Sequence, residues 1–339
     1  MTPQMAEPHA AGWAARREQG NLLAMRFMAW VATTLGRRLA RWLLHPISLY
    51  YLLFALAARR HSARYLARAL GRPARWSDLY RHFHCFAATV LDRVYFVRGE
   101  LHAFDLQMHG DAGCAETIAS GQGGFLLGAH LGSFEALQAS GKSFPGMQVS
   151  LVMYPDNARK IQSVLQALAP DFKLRIIAIG QPGSTLAIRD ALDAGHLVGL
   201  LGDRSLAAGG GTSAGGTSAG GTSAGGAAVS ARESARSGLT TLPFLGLPAR
   251  FSDGPLRLAM LLRRRVIFMA GLYRGGNRYD ANFEILADFR QPPADPAARE
   301  QLIQQALRDY VQRLEKGCRE APYNWFNFFD FWGEDVAPH

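Results

Sequence analysis

His130 and Glu135 stand five positions apart in FLLGAHLGSFEAL, residues 125–137. A histidine within reach of a carboxylate is a pairing suited to taking a proton from a hydroxyl. On one continuous helix an offset of five turns through about 500°, leaving the two side chains roughly 140° apart. They meet only if His130 lies on a loop after a strand and Glu135 lies in the first turn of the next helix. Gly128 and Gly132 give that turn its room. In this arrangement Glu135 orients the imidazole and steadies its cation, while the other ring nitrogen faces the incoming hydroxyl. The helix amino end, at Gly132 and Ser133, offers backbone donors to a developing oxyanion and makes these two the expected substrate-binding residues. The same spacing also fits a loop histidine bonded to a surface glutamate.

Such a loop needs a strand before it and a helix after it, and the chain supplies the alternation. Apolar runs at 125–129, 148–153, 174–179, 197–201, 266–272 and 281–287 read as strands. Amphipathic stretches at 62–70, 76–96, 134–142, 156–168, 184–194, 253–263 and about 297–316 read as helices. This is an α/β pattern, with a mixed, largely parallel sheet flanked by helices and an N-terminal helical membrane-associating segment. Chemistry in such sheets collects at the carboxyl ends of strands. The expected organisation is a flexible stretch over 1–20, the membrane-associating segment over 21–60 and the catalytic domain over 61–332.

Charge separates the two parts. Residues 1–100 hold fifteen arginines and no lysine against five acids, a net of +10, whereas the remaining 239 residues balance 22 basic against 22 acidic groups. The basic part is interleaved with apolar runs, at 22–35 and 42–58, which favours an anionic membrane surface over nucleic acid. The 17-residue run from Trp42 to Ala58 holds His45 and Pro46 and sits at the lower edge of spanning length. Flanking arginines and interfacial aromatics suit a helix pair dipping into one leaflet from the cytoplasmic side, with a buried hairpin of a soluble domain as the other reading. No cleavable signal is visible.

Other candidates lose on context. Cys85, Cys114 and Cys318 are odd in number, far apart and free of ligand spacing, so neither a disulfide framework nor a metal site is expected, and the compartment reads as reducing. The string GTSAG occurs three times within a Gly/Thr/Ser/Ala stretch at 206–237 and matches the GxSxG expression, but no strand precedes it and no helix follows, so it reads as a surface loop. His82 and His84 are two apart on a helix and diverge. The aromatic block around Tyr323 to Trp332 reads as core or interface packing. There is no phosphate-binding glycine loop.

Strand followed by HxxxxE resembles the HxxxxD/E block of the lysophospholipid acyltransferase superfamily, in the branch of the bacterial late lipid A acyltransferases. LVGLLGDRS (197–205), PFLGLPARFSDGPLRLA (243–259) and PYNWFNFF (322–329) are similar to that branch's later blocks, in order, and the amino-terminal pattern through YYLLFALAARRHSARYLARALGR is similar too. The resemblance covers most of residues 20–332. It implies transfer of a fatty acyl group from an acyl thioester, acyl carrier protein or CoA, to a hydroxyl of a membrane lipid or glycolipid, with no metal, no further cofactor and no covalent enzyme intermediate. His130 is then the general base and Glu135 its partner, and Asp203 and Arg204 line the same cleft, Arg204 as a ligand for a phosphate or carbonyl oxygen. GlyAspArgSer replaces the Asp-Gln-Asp-like string usual in the lipid A enzymes, which opens the acceptor to a glycerolipid, an ornithine-type lipid or a polyene pigment lipid. A catalytically idle membrane scaffold is the rival from another class.

Overall fold

The computed structural model describes residue 34 and residues 36–110, 112–141, 148–155, 175–203 and 238–333. Three helices come first: α1 (Gly36–Phe54), α2 (Leu56–Leu70) and α3 (Trp76–Val97). Two short elements, β1 (Asp105–Gly110) and α4 (Ala112–Ala119), lead to β2 (Gly124–Gly128), α5 (Phe134–Gly141) and β3 (Val149–Met153). Then follow β4 (Arg175–Ala178), α6 (Ser184–Asp193) and β5 (Leu197–Leu201). The chain closes with a hairpin of β6 (Leu239–Phe244) and β7 (Leu247–Ser252), then α7 (Gly254–Leu261), β8 (Arg265–Gly275), β9 (Arg278–Asp288) and α8 (Pro296–Glu320).

Seven strands form one sheet in the order β1-β9-β8-β2-β5-β3-β4. Strands β8, β2, β5, β3 and β4 run parallel, and only the β8/β9 pair is antiparallel, which turns β9 and β1 the other way. The fold is therefore α/β around a mostly parallel mixed sheet, as the alternation implied. Strand β2 is buried at all five residues, consistent with a parallel strand covered on both faces. The expected strands all appear with ends no more than three residues from the expected ones. The helix expected at 156–168, the apolar run at 22–35 apart from residue 34, and the loop at 206–237 lie outside the described residues.

Besides the short elements β1 and α4, which the sequence reading did not include, two features depart from it. Residues 239–252 form the β6/β7 hairpin, turning at Leu245 and Gly246 with φ of 51° and 86°. Pro243 and Pro248 broke its strand pattern, since proline is a weak strand former. The second is the run from Trp42 to Ala58, which is interrupted at Ala55, where α1 and α2 meet at 94°. No single helix among the described residues is long and apolar enough to cross a membrane, although the bent pair meets the length and composition requirement together.

Helix α1 buries Ala40, Leu44, Ser48 and Leu52, one every fourth residue, while its other faces expose Leu39, Trp42, Leu49, Tyr50, Leu53 and Phe54. It is tied to α3 by a buried carboxylate. Asp92 accepts two hydrogen bonds from Arg37, at 2.8 and 2.9 Å, and one from the Tyr279 hydroxyl of β9 at 2.8 Å. The expected boundary at residue 60 falls inside α2, so the first helices pack as part of the same body as the sheet.

Candidate active site

The pairing of β2 with β5 builds the site. Gly128 lies opposite Leu201 at the last paired position of the two parallel strands. Two residues further along each chain come His130 and Asp203, so equal steps beyond the same rung set them side by side. The Gly202 N–H donates to the Gly128 carbonyl at 2.9 Å and carries the pairing one step past the strand ends. His130 Nδ1 then meets Asp203 Oδ1 at 2.9 Å, and the His130 backbone N–H donates to Asp203 Oδ2 at 2.9 Å. A carboxylate only accepts, so Nδ1 carries the proton and Nε2 holds the lone pair. Nε2 makes no hydrogen bond among the described residues, and the ring is 28 % exposed.

The carboxylate is almost fully buried, and a third donor completes its shell: the Trp325 indole N–H reaches Oδ2 at 3.0 Å. Burial alone would push the Asp203 pKa up, but the adjacent His130 charge and the donors from His130 and Trp325 outweigh it and hold the pKa at about 2. Asp203 therefore stays ionised at any physiological pH and stabilises an imidazolium formed at His130.

Glycines permit the close approach around His130. Gly132 has φ of +80°, and a Cβ there would lie 1.9 Å from the Gly271 carbonyl oxygen. A Cβ on Gly271 would in turn lie 2.2 Å from the Ser133 carbonyl oxygen. The loop between β2 and α5 thus lies directly against β8, held by the Ser133 N–H on the Gly271 carbonyl at 2.7 Å.

Several expected roles change. Glu135 is in the first turn of α5, as the spacing required, but it turns to α3 and pairs with Arg93 at 2.6 Å, and it also accepts from the Ser133 hydroxyl at 3.1 Å. It makes no hydrogen bond to His130. The neighbouring strand already supplies an acid on the same rung, and Arg93 draws Glu135 away. Gly132 and Ser133 do not present free backbone donors either: the Gly132 N–H goes to the Asn324 carbonyl at 2.8 Å and that of Ser133 to Gly271. The Ser133 hydroxyl caps α5 through the Ala136 N–H at 3.2 Å. Arg204 lies outside the described residues.

The residues missed by the sequence reading sit in the carboxyl-terminal aromatic block. After α8 a 3-10 turn, Pro322–Asn324, brings the chain back across the site. The Asn324 side chain accepts from the Tyr273 N–H at 2.7 Å and donates to the Tyr273 carbonyl at 3.1 Å, copying a strand partner at the end of β8. The Phe326 N–H donates to the His130 carbonyl at 2.9 Å. The available signal was the tryptophan itself, because its indole N–H is a donor that must be satisfied when buried.

No group of three or more His, Cys, Asp or Glu side chains gathers in a metal-holding arrangement among the described residues. Burial raises the Cys85 and Cys318 thiols well above their ordinary range, leaving both as inert core groups. No protein-family model and no curated protein matches the chain.

Proposed function

We propose that this protein is an O-acyltransferase that moves a fatty acyl group from an acyl thioester to a hydroxyl of a membrane lipid or glycolipid, with late acylation of a lipid A-type acceptor as the leading case. The observation that carries the reading is the His130–Asp203 pair at the carboxyl ends of adjacent parallel strands, with an uncommitted Nε2. His130 Nε2 takes the proton as the acceptor oxygen attacks the thioester carbonyl. Asp203 holds the ring in the tautomer this requires and balances the imidazolium, which then returns its proton to the leaving thiolate. No residue forms a covalent intermediate in this scheme.

The exposed apolar face of α1, with Trp42 and Phe54 at 73 % and 68 % exposure, supports association with an anionic bilayer on its cytoplasmic side. Arg59, stacked over Trp76 at 5.0 Å, adds a cation beside it. Flotation with phosphatidylglycerol vesicles tests this directly. Trp42→Glu combined with Phe54→Glu is expected to leave most of the folded protein at the bottom of the gradient, and unchanged flotation counts against the face.

Activity is tested in membranes supplied in parallel with labelled acyl carrier protein thioester and labelled acyl-CoA. A labelled lipid made by the wild type and lost in His130→Ala identifies donor and acceptor together. Folded wild type that makes no product from either donor, in membranes carrying candidate acceptors, overturns the reading and moves the protein to the scaffold class.

A further inference from the structure

We propose that Trp325 is a positioning residue for His130, acting through its indole N–H on the Asp203 carboxylate. The inference deepens the reading of His130 as a base, and it stands on geometry that the packing role expected of the aromatic block does not explain.

Asp203 receives three hydrogen bonds. One reports the ring of His130, one fixes the His130 backbone, and the third comes from Trp325, 122 residues away in sequence. Oδ2 is shared by the backbone N–H and the indole, which pins the carboxylate plane and points Oδ1 at the imidazole. The two bonds to His130 already fix the carboxylate against that residue, and the indole is the one donor of the three that comes from outside His130.

The indole is held in its turn. Its ring is fully buried among Tyr65, Phe244 and Phe331, with centroids 4.9, 5.3 and 4.9 Å away, all edge to face. Its carbonyl accepts from His82 Nε2 at 3.0 Å, and the Ser62 hydroxyl donates to His82 Nδ1 at 2.7 Å. These partners fix the His82 tautomer: a carbonyl can only accept, so Nε2 bears the proton and Nδ1 takes the serine proton. Burial brings the His82 pKa down to about 4, so the ring is neutral near neutral pH. Two further ionisable groups lie close to Asp203, Tyr310 and Cys318, and burial pushes both upward, so both stay neutral at neutral pH. Asp203 and His130 are therefore the charged pair on which the indole acts.

A donor removed from the carboxylate concentrates its charge on the remaining partners and raises the proton affinity of His130. A residue that only fills space has no such effect. Trp325→Phe keeps a ring in the cage and deletes the N–H. The expected result, from histidine-selective NMR titration of the full chain, is a His130 midpoint raised by about half a unit or more, with Asp203→Asn moving it the opposite way. In an active preparation the same variant should lose roughly tenfold in kcat with little change in KM. A folded Trp325→Phe protein whose His130 midpoint matches wild type within about 0.2 units overturns the proposal.

The wild-type chain gives a second measurement if the variant does not fold. The Trp325 indole proton resonance, assigned through its contacts with the Tyr65 and Phe331 rings, should move with the same midpoint as His130. A resonance that stays flat across the His130 titration overturns the proposal. Neither titration uses an acyl substrate, so absence of acyl transfer and absence of coupling are separate results.

Discussion

The two ends of β5 carry a histidine and an aspartate, and they behave as opposites. At the amino end His196 precedes the strand, and its Nδ1 meets the buried Ser150 hydroxyl at 3.1 Å. Partial burial and the nearby Arg175 depress its pKa, with no carboxylate among the described residues to oppose them. Around that end Arg265 and Arg290 pair with Asp288, at 2.8 and 2.7 Å, and Arg265 pairs with the exposed Glu116 at 3.0 Å. At the carboxyl end the carboxylate itself is buried and every bond to it is internal. Histidine with a hydroxyl partner is therefore present at both ends of the molecule's centre in some form, whether at Ser150/His196 or Ser62/His82. Among the described residues only the carboxyl end joins a histidine to a buried acid and leaves a ring nitrogen unused. Parallel strands cause this difference, because they bring two loops together on the same side at equal register.

The largest expected effect tests the carboxyl end directly. His130→Ala should lower the proposed acyl transfer by about a thousandfold and Asp203→Asn by roughly a hundredfold or more, measured as product formed per folded protein. Gly132→Ala comes next and is a test of packing. Positive φ and a Cβ 1.9 Å from the Gly271 oxygen should cost about 3 kcal/mol or more in denaturant unfolding, with backbone displacement at the site.

Glu135→Gln sharpens the contrast between the two acids. Because Glu135 engages Arg93 and not His130, the loss of activity should stay under about tenfold, while a loss equal to that of Asp203→Asn would return the partner role to Glu135. Acid titration separates them further. Asp203 has its folded pKa lowered to about 2 from 3.8, so its contribution to stability is complete above the ordinary value and is lost as pH falls through about 2. Wild type should accordingly lose more melting temperature between pH 4 and pH 2 than Asp203→Asn does. The smallest effect is expected at the amino end, where His196→Gln should change activity by less than about twofold, and a larger loss would break the distinction between the two ends.

Much of the fold was legible because its signals are local. The apolar runs of β2 and β5 and the periodicity of α3 lie within short windows, and burial of a complete face produced them. The β6/β7 hairpin was hidden by its two prolines, and β1, an edge strand with the sequence DLQMHG, shows too little alternation to stand out. The site divided in the same way. His130 followed from its place after a glycine-flanked strand, but a nearby acid in sequence was taken for its neighbour in space.

What the sequence by itself determined is an α/β chain with a histidine at a strand end, a basic and apolar amino-terminal part, and the absence of a phosphate-binding glycine loop. The tertiary structure decided which acid the histidine meets. Glu135 is five residues away and Asp203 is 73, yet strand register brings the distant one to 2.9 Å, and Arg93 holds the near one elsewhere. The tertiary structure also turned Trp325 from one aromatic among many into a hydrogen-bond donor at the site. Sequence records separation along the chain, whereas a hydrogen bond depends on distances and angles that only the packed sheet fixes.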